Sequence, residues 1–178
     1  HGSRRNSAGS VASQDLQDLI AGNTIYNSDG SIRCTTGYTD GSPAVADLNG
    51  DGMGEMVITA QGFVFVFDHN CWLLNHWRHE DLSGNGGPPT IADYDGDGEP
   101  EIGIATKILY TVYEPDGTLN WYNFTDDRSS QTGSSVFDFD GDGYSEVVYG
   151  DEQTLWIMNG VDGDLRLIDQ EHSSYTVH

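Results

Sequence analysis

Basic residues are scarce in this 178-residue chain, which has seven lysines and arginines, with Lys107 as its only lysine. Set against 29 acidic residues, they leave a formal net charge of −22. Such a charge repels both phosphate backbones and anionic lipid surfaces. No run approaches the roughly 18 consecutive apolar residues that a spanning helix needs. The sequence therefore predicts no membrane span and argues against nucleic acid as a partner.

Cysteine is nearly absent as well. The two cysteines, Cys34 and Cys71, have a spacing that matches no zinc or redox motif. The sequence leaves one disulfide and two free thiols equally open, and export of the protein would favour the disulfide.

The N-terminal segment, residues 1–22, has arginines near its start but no apolar run after them, so we recognise no signal peptide. His1, Gly2 and Ser3 are typical of an expression-tag remnant, although a mature secreted chain would also lack its signal. A short helix is expected over residues 13–20, with Ser13 as its cap and three apolar residues on one face. These are Leu16, Leu19 and Ile20.

Apolar and glycine residues are plentiful enough to indicate folding. Hydrophobic residues make up 36% of the chain and aromatic residues 11%, and 23 glycines recur at regular intervals. This composition is typical of a turn-rich β protein and not of a disordered acidic chain.

Three similar segments recur at intervals of about 45 residues, a period typical of solenoids, propellers and arrays of small modules. They read ADLNGDGMGEMVITA, ADYDGDGEPEIGIAT and FDFDGDGYSEVVYGD. In each repeat a short apolar run precedes the acidic loop, and two β-rich runs and a last strand follow it. Turns such as Pro115-Asp116-Gly117 between the runs are hairpin signals. Four short antiparallel strands in each repeat predict an all-β fold of β-propeller blades.

The repeats predict about three and a half blades in residues 23–178. They comprise a half blade (23–40), three blades (41–87, 88–133 and 134–172) and the start of a further blade (173–178). Closed propellers have roughly four to eight blades. The chain is therefore expected either to come from a longer protein or to be completed by another copy of itself, since an open end exposes an unpaired strand edge.

The acidic loops follow the pattern D-x-[DN]-x-D-G-x-x-E, in which the glycine at position 6 allows the oxygens of positions 1, 3 and 5 to converge. The glutamate at position 9 supplies the last side-chain oxygen of this set of ligands. Hard oxygen ligands in a flexible loop suit Ca²⁺, whereas Zn²⁺ prefers histidine and cysteine. An EF-hand would need glutamate at position 12, but that position lies in the strand that follows each loop.

We therefore predict three calcium sites. Their side-chain ligands are Asp47, Asn49, Asp51 and Glu55 in the first loop, Asp93, Asp95, Asp97 and Glu101 in the second, and Asp138, Asp140, Asp142 and Glu146 in the third. The first set has three carboxylates and the others have four. Because fewer charges bind calcium more weakly, the first site is expected to lose its ion first.

At these loops the sequence resembles the FG-GAP and VCBS repeats of bacterial cell-surface proteins, a group that includes the integrin α-subunit propeller. The resemblance covers roughly residues 24–178. It implies that each loop joins the first two strands of a blade and holds Ca²⁺, with backbone carbonyls from Met53, Glu99 and Tyr144 as further ligands. The family often has aspartate at position 9, where this chain has glutamate. Its Phe-Gly and Gly-Ala-Pro signatures are degenerate here, which favours the bacterial repeats over integrins.

No catalytic group is recognised in the sequence. His76 and His79 are three residues apart, which on a strand makes no zinc site, and we expect them on the solvated surface. Ser134 lacks the nucleophile-elbow pattern. The acidic residues are committed to the loops. We therefore expect a non-catalytic, extracellular, calcium-binding module of a bacterial cell surface. Its expected role is adhesion or self-assembly, with a protein, a glycan or further copies of the chain as partner.

The alternative is a carbohydrate-binding module, or the accessory propeller of a polysaccharide-degrading enzyme, because aromatic side chains can stack on sugar rings. Packing between blades is the competing role for the same side chains. The candidates are Trp72, Trp77, Trp121, Trp156, Tyr110, Tyr113 and Tyr122.

Overall fold

The computed structural model describes residues 19–21, 24–36, 43–79 and 86–169, and these residues form strands, turns and loops without a helix. The strands make four antiparallel sheets, each with its strands in chain order. The first sheet has three strands, which are β1 (Leu19–Ala21), β2 (Thr24–Tyr26) and β3 (Ile32–Thr35).

The other three sheets have four strands each. The second sheet contains β4 (Pro43–Ala46), β5 (Glu55–Ala60), β6 (Phe63–Phe67) and β7 (Leu73–Arg78). The third contains β8 (Thr90–Ala92), β9 (Glu101–Ala105), β10 (Leu109–Tyr113) and β11 (Leu119–Phe124). The fourth contains β12 (Ser134–Phe137), β13 (Glu146–Gly150), β14 (Leu155–Asn159) and β15 (Leu165–Asp169). The prediction of an all-β fold built from four-stranded antiparallel blades is confirmed.

The predicted helix over residues 13–20 is wrong for residues 19 and 20. Leu19–Ala21 forms β1, in which Ile20 pairs with Ile25 of β2. Local apolar spacing is a weak guide when a neighbouring strand offers backbone partners. The first sheet therefore begins before residue 23. Residues 13–18, and residues 173–178 that were predicted to start another blade, lie outside the described part of the chain.

The core lies between the sheets. Val57 of the second sheet packs with Ile102 and Tyr113 of the third, and Tyr110 of the third packs with Tyr149 of the fourth. Strands β9 and β10 are buried along their whole length. Because a neighbouring sheet covers each of their faces, these central strands are mostly apolar and do not alternate between polar and apolar residues; Glu101 and Thr111 are their buried polar members.

Tryptophans of the outer strands seal the spaces between sheets. Trp121 donates a hydrogen bond from Nε1 to the Gly160 carbonyl. A Cβ on Gly163 would lie 2.5 Å from the Trp121 ring, and one on Gly117 would lie 2.8 Å from the Trp77 ring. Each tryptophan therefore lies against a glycine turn of the next sheet, and the buried Trp121 ring has no free face for a sugar.

A disulfide joins Cys34 of β3 to Cys71 in the turn between β6 and β7, with 6.3 Å between the two Cα atoms. This bond decides between the two states that the sequence left open. It connects the first sheet to the second, and so restricts the unfolded chain across 37 residues.

The fourth sheet has one apolar face that is partly exposed. Val147 and Tyr149 pack against the third sheet, so Val148 points to the opposite face. In the pairing register Val148 lies beside Ile157, and Ile157 beside Leu167, of which 47% is exposed. This face is the side of the sheet that the third sheet does not cover.

Candidate metal sites

Each acidic loop connects the first two strands of a four-stranded sheet. Loop 1 (residues 47–55) follows β4, loop 2 (93–101) follows β8, and loop 3 (138–146) follows β12. The glutamate at position 9 of each loop is also the first residue of the second strand. The strand pairing thus fixes the backbone of this glutamate, while the rest of the loop curves back toward it.

The same hydrogen bonds hold all three loops. The aspartate at position 1 accepts a bond from the amide of the glycine at position 6, over 2.8 Å in loop 1, 3.0 Å in loop 2 and 3.1 Å in loop 3. These glycines, Gly52, Gly98 and Gly143, have φ values of +84°, +95° and +93°. Only glycine adopts this left-handed region without strain, so the reversal depends on it.

The closing glutamate is held by one of its two carboxylate oxygens. Its Oε2 accepts a hydrogen bond from the amide at position 2, at 2.9 Å from Leu48, 2.6 Å from Tyr94 and 2.9 Å from Phe139. The other oxygen, Oε1, is buried without a hydrogen-bond partner in both Glu101 and Glu146. Buried polar atoms normally have a partner. Glu101 Oε1 therefore points to a ligand for loop 2, whereas Glu146 Oε1 lies 3.4 Å from the cationic Nη2 of Arg166.

Loop 2 gathers four carboxylates around one point. One oxygen from each side chain lies within 4.8 Å of the others, and the four residues are Asp93, Asp95, Asp97 and Glu101. Glu101 is completely buried. This oxygen-only group fits a calcium ion, which binds carboxylates readily and neutralises their mutual repulsion.

The electrostatics of loop 2 centre on Glu101. Burial raises the pKa of its carboxyl from the ordinary 4.5 to about 7. This value already includes the negative charges of Asp95, Glu114 and Asp93, which also raise the pKa, and the hydrogen bond from the Tyr94 amide, which lowers it. The Glu101 carboxylate therefore has too little positive charge around it to balance its own.

Loop 3 has the same four acidic positions but also a cation from the protein. Arg166 of β15 makes an ion pair from Nη1 to Asp140 Oδ2. Its Nη2 lies 3.3 Å from Asp142 Oδ2 and 3.4 Å from Glu146 Oε1. The amide of Tyr144, and secondly the guanidinium, lower the pKa of Asp142. In this loop the carboxylates that lie within 4.8 Å of one another are Asp138, Asp140 and Glu146.

The role of Arg166 was not predicted from the sequence. The repeat pattern contains nothing basic at the loop itself, and Arg166 is 20 residues beyond Glu146. The available signal was the alignment of the fourth strands, which places the only arginine of β15 where the other blades have uncharged residues.

Loop 1 has the same hydrogen bonds as the others but a less concentrated charge. In the described residues, clusters of three or more acidic side chains within 4.8 Å occur at loops 2 and 3 alone. Burial raises the pKa of Glu55, and the charges of Asp51 and Asp47 add to this effect, while the Leu48 amide opposes it. Loop 1 also borders an open cavity of about 350 Å³.

Loops 2 and 3 contact each other. Ser145, at position 8 of loop 3, donates its hydroxyl hydrogen to the Asp93 carbonyl over 3.0 Å, and its amide to the Tyr94 carbonyl over 3.3 Å. The start of loop 2 is therefore held by loop 3 through the chain, independently of any ion.

Two buried aspartates outside the loops were not anticipated. Asp127 accepts hydrogen bonds from Ser129, Thr132 and the Tyr149 hydroxyl. Burial alone would raise its pKa, but these bonds outweigh burial and lower it. Asp151 accepts the Thr154 amide and the Trp156 indole N–H. Both carboxylates are well partnered. Asp127 fastens the connection between the third and fourth sheets, and Asp151 fastens the turn between β13 and β14.

The expectation that His76 and His79 lie on the solvated surface is confirmed for His76, which is exposed, and wrong for His79, of which only 1% is exposed. The His76 ring stacks on Phe65, with 6.0 Å between ring centroids. Of the aromatic candidates for sugar contact, Trp72 and Tyr122 are exposed, by 74% and 48%.

No protein-family model matches this chain, and no curated protein sequence matches it. Solved structures do match. The V. cholerae biofilm matrix protein Bap1 is 14% identical with a TM-score of 0.73, over 88% of this chain and 53% of Bap1. BamB from Moraxella catarrhalis is 12% identical with a TM-score of 0.58, over 88% of this chain and 51% of BamB.

An Agrocybe aegerita lectin that recognises non-reducing terminal N-acetylglucosamine is 18% identical with a TM-score of 0.51, over 88% of this chain and 48% of the lectin. This chain thus spans about half the length of each of these structures. At such low identity the likeness concerns the fold, which is β-propeller-like.

In the part of the chain that the structure describes, no helix is long and apolar enough to span a membrane.

Proposed function

We propose that this chain is part of a non-catalytic, extracellular β-propeller of the FG-GAP and VCBS type, in which bound Ca²⁺ braces the acidic loops and the blades serve adhesion or self-assembly at a bacterial cell surface. The observation that carries the proposal is Glu101 Oε1. This oxygen is buried, has no hydrogen-bond partner and belongs to a group of four carboxylates within 4.8 Å.

Calcium is favoured by the chemistry of the donors. Every side-chain donor in the loops is an oxygen, and neither histidine nor cysteine stands at any ligand position. Ca²⁺ accepts roughly six to eight such oxygens. The ion in loop 2 would be held by its four carboxylates and the Glu99 carbonyl, with the equivalent groups, including the Met53 and Tyr144 carbonyls, serving loops 1 and 3.

Bracing follows from the position of the loops. Each one connects the first strand of a sheet to a buried second strand, so repulsion among its carboxylates acts directly on the sheet core. Ions that bind only the folded chain stabilise it by about 2.7 kcal/mol per site at a hundredfold excess over Kd.

The test is thermal unfolding with calcium and with excess EDTA, with magnesium as a matched control. Calcium is expected to raise the melting temperature by about 10 °C or more over EDTA, and magnesium by much less. Equal melting temperatures in calcium and in EDTA would refute calcium bracing.

Export and a surface role have separate support. The Cys34–Cys71 disulfide is typical of proteins that fold in an oxidising compartment. The fold resembles that of a biofilm matrix protein. The partly exposed apolar face of the fourth sheet favours further copies or further blades as neighbours. Light scattering tests self-assembly, and a clean monomer with a cooperative melt would exclude obligatory assembly.

The second candidate function is carbohydrate binding. Its specific support is the exposed indole of Trp72, together with the likeness in fold to a lectin. A glycan array with the parent and Trp72→Ala tests it. Loss of a sugar signal in Trp72→Ala supports glycan binding, whereas no signal for the parent favours adhesion to protein. Trp121→Ala is unsuitable here, because that ring is buried between sheets.

A further inference from the structure

The third and fourth strands of each four-stranded sheet are paired with one residue skipped. The pairs change from Val66 with Asn75 to Phe67 with Leu73 in the second sheet, and the same shift occurs in the third and fourth sheets. Each fourth strand therefore contains a β-bulge at an equivalent position. The three bulge residues are Leu74, Asn120 and Arg166.

Each bulge residue lies near the acidic loop of its own sheet. Leu74 lines the cavity that Asn49 and Glu55 of loop 1 also line. Asn120 donates a hydrogen bond to Glu114 over 2.8 Å, and the charge of Glu114 acts on Glu101 of loop 2. Arg166 forms ion pairs with loop 3. The position is thus apolar at loop 1, neutral and polar at loop 2, and cationic at loop 3.

We propose that Arg166 is a built-in counter-ion of loop 3, and that loop 3 therefore binds Ca²⁺ more weakly than loop 2, although the two loops carry the same four carboxylates. The proposal rests on the calcium sites of the proposed function and adds a residue that sets the order of their calcium affinities.

The contacts of Arg166 explain the competition. Its guanidinium engages the carboxylates at positions 3, 5 and 9, which are Asp140, Asp142 and Glu146. Calcium needs the same oxygens, and two cations cannot share them without repulsion. Binding at loop 3 must therefore break the ion pairs of Arg166, whose side chain is 34% exposed and can turn into solvent.

The consequence is a graded response to calcium withdrawal. Among the described residues, no lysine or arginine forms an ion pair with loop 2, and this loop therefore depends on an ion from solution. Loop 3 keeps a partial charge balance after its ion leaves, and Ser145 remains placed to hold the start of loop 2.

The test is a calcium titration followed by NMR at single residues, on the whole chain. The amides of Gly98 and Gly143 bond the position-1 aspartates of loops 2 and 3, so each reports its own loop. One exposed ion pair changes an equilibrium by a factor of about two to five. Because Arg166 contacts three carboxylates of loop 3, we expect the calcium concentration at the Gly143 midpoint to lie about tenfold above that at the Gly98 midpoint.

The matched variant is Arg166→Asn, which gives loop 3 the residue found at the bulge beside loop 2. It should lower the Gly143 midpoint about tenfold and leave Gly98 unchanged. Arg128→Asn is the charge control, since Arg128 pairs with Asp126 on the surface, and it should move neither midpoint by more than about twofold.

The reciprocal variant, Asn120→Arg, keeps the idea testable even if Arg166→Asn does not fold. It should raise the Gly98 midpoint toward that of Gly143. Equal midpoints in the parent, or midpoints that neither variant moves, would overturn the counter-ion role while leaving calcium bracing intact. No response of either glycine to calcium would overturn both.

Discussion

Loop 2 and loop 3 have the same acidic positions, the same glycine reversal and the same bond from the position-2 amide to the closing glutamate, yet their charge balance differs. At loop 2 the Glu101 carboxylate is buried among other negative charges. At loop 3, Glu146 Oε1 lies 3.4 Å from the Arg166 guanidinium. The comparison teaches that the loop motif sets the shape of the site, whereas a residue on another strand sets its charge.

The largest difference is expected when one ligand is removed from each loop. Asp95→Ala should abolish the calcium-dependent stabilisation of loop 2, worth about 3 kcal/mol at a hundredfold excess over Kd. Asp140→Ala should remove less of the calcium-dependent stabilisation, because competition from Arg166 already makes calcium binding at loop 3 weak. Urea unfolding with calcium and with EDTA measures both effects. Equal losses of calcium-dependent stabilisation in the two variants would show that loops 2 and 3 do not differ in the proposed way.

A smaller difference is expected without calcium. Glu101→Gln keeps the acceptor for the Tyr94 amide and removes a buried charge, so at pH 8 in EDTA it should stabilise the chain by about 1–3 kcal/mol. Glu146→Gln should give no such gain, because it takes a partner from Arg166. Both should weaken the calcium response, and a loss of stability in Glu101→Gln under EDTA would contradict this account.

The pH dependence of the free energy of unfolding tests the same buried charge at Glu101. In EDTA the folded-state pKa of Glu101, about 7, lies above the ordinary 4.5. A raised carboxyl pKa destabilises the folded chain above pH 7, and this penalty fades as the pH falls through 7 toward 4.5. The advantage of Glu101→Gln over the parent should therefore shrink between pH 8 and pH 6 in urea unfolding. An advantage that is constant over this range would argue against a buried charge.

The smallest effect is expected at position 7, where the backbone carbonyl is the proposed ligand. Glu99→Met gives loop 2 the residue that loop 1 has at this position, and it should change the Gly98 calcium midpoint by no more than about threefold, the weight of one exposed charge. A loss comparable to that of Asp95→Ala would show that the Glu99 side chain binds the ion.

Much of the fold was predictable because it depends on local patterns. The strands of each blade follow from short apolar runs separated by turn residues, and the loop reversals follow from glycines that adopt a positive φ, such as Gly98. The N-terminal strand was not predictable, because β1 depends on pairing with β2. The burial of His79 depends in the same way on contacts between distant segments.

In the candidate sites, too, the features set by local sequence were predictable and those set by distant contacts were not. The convergence of the loop 2 carboxylates was predictable from spacing, since glycine at position 6 and the strand after position 9 leave the loop few other paths. The role of Arg166 was not, because it depends on a β-bulge in β15 that brings one side chain back to a loop 20 residues earlier. The disulfide likewise required the contact between two sheets.

The most direct test of calcium bracing is a crystal structure of the chain grown in calcium, with attention to loop 2. We expect an ion about 2.3–2.6 Å from Glu101 Oε1 and from oxygens of Asp93, Asp95 and Asp97. Water alone at this position, with the aspartates turned outward to solvent, would contradict it.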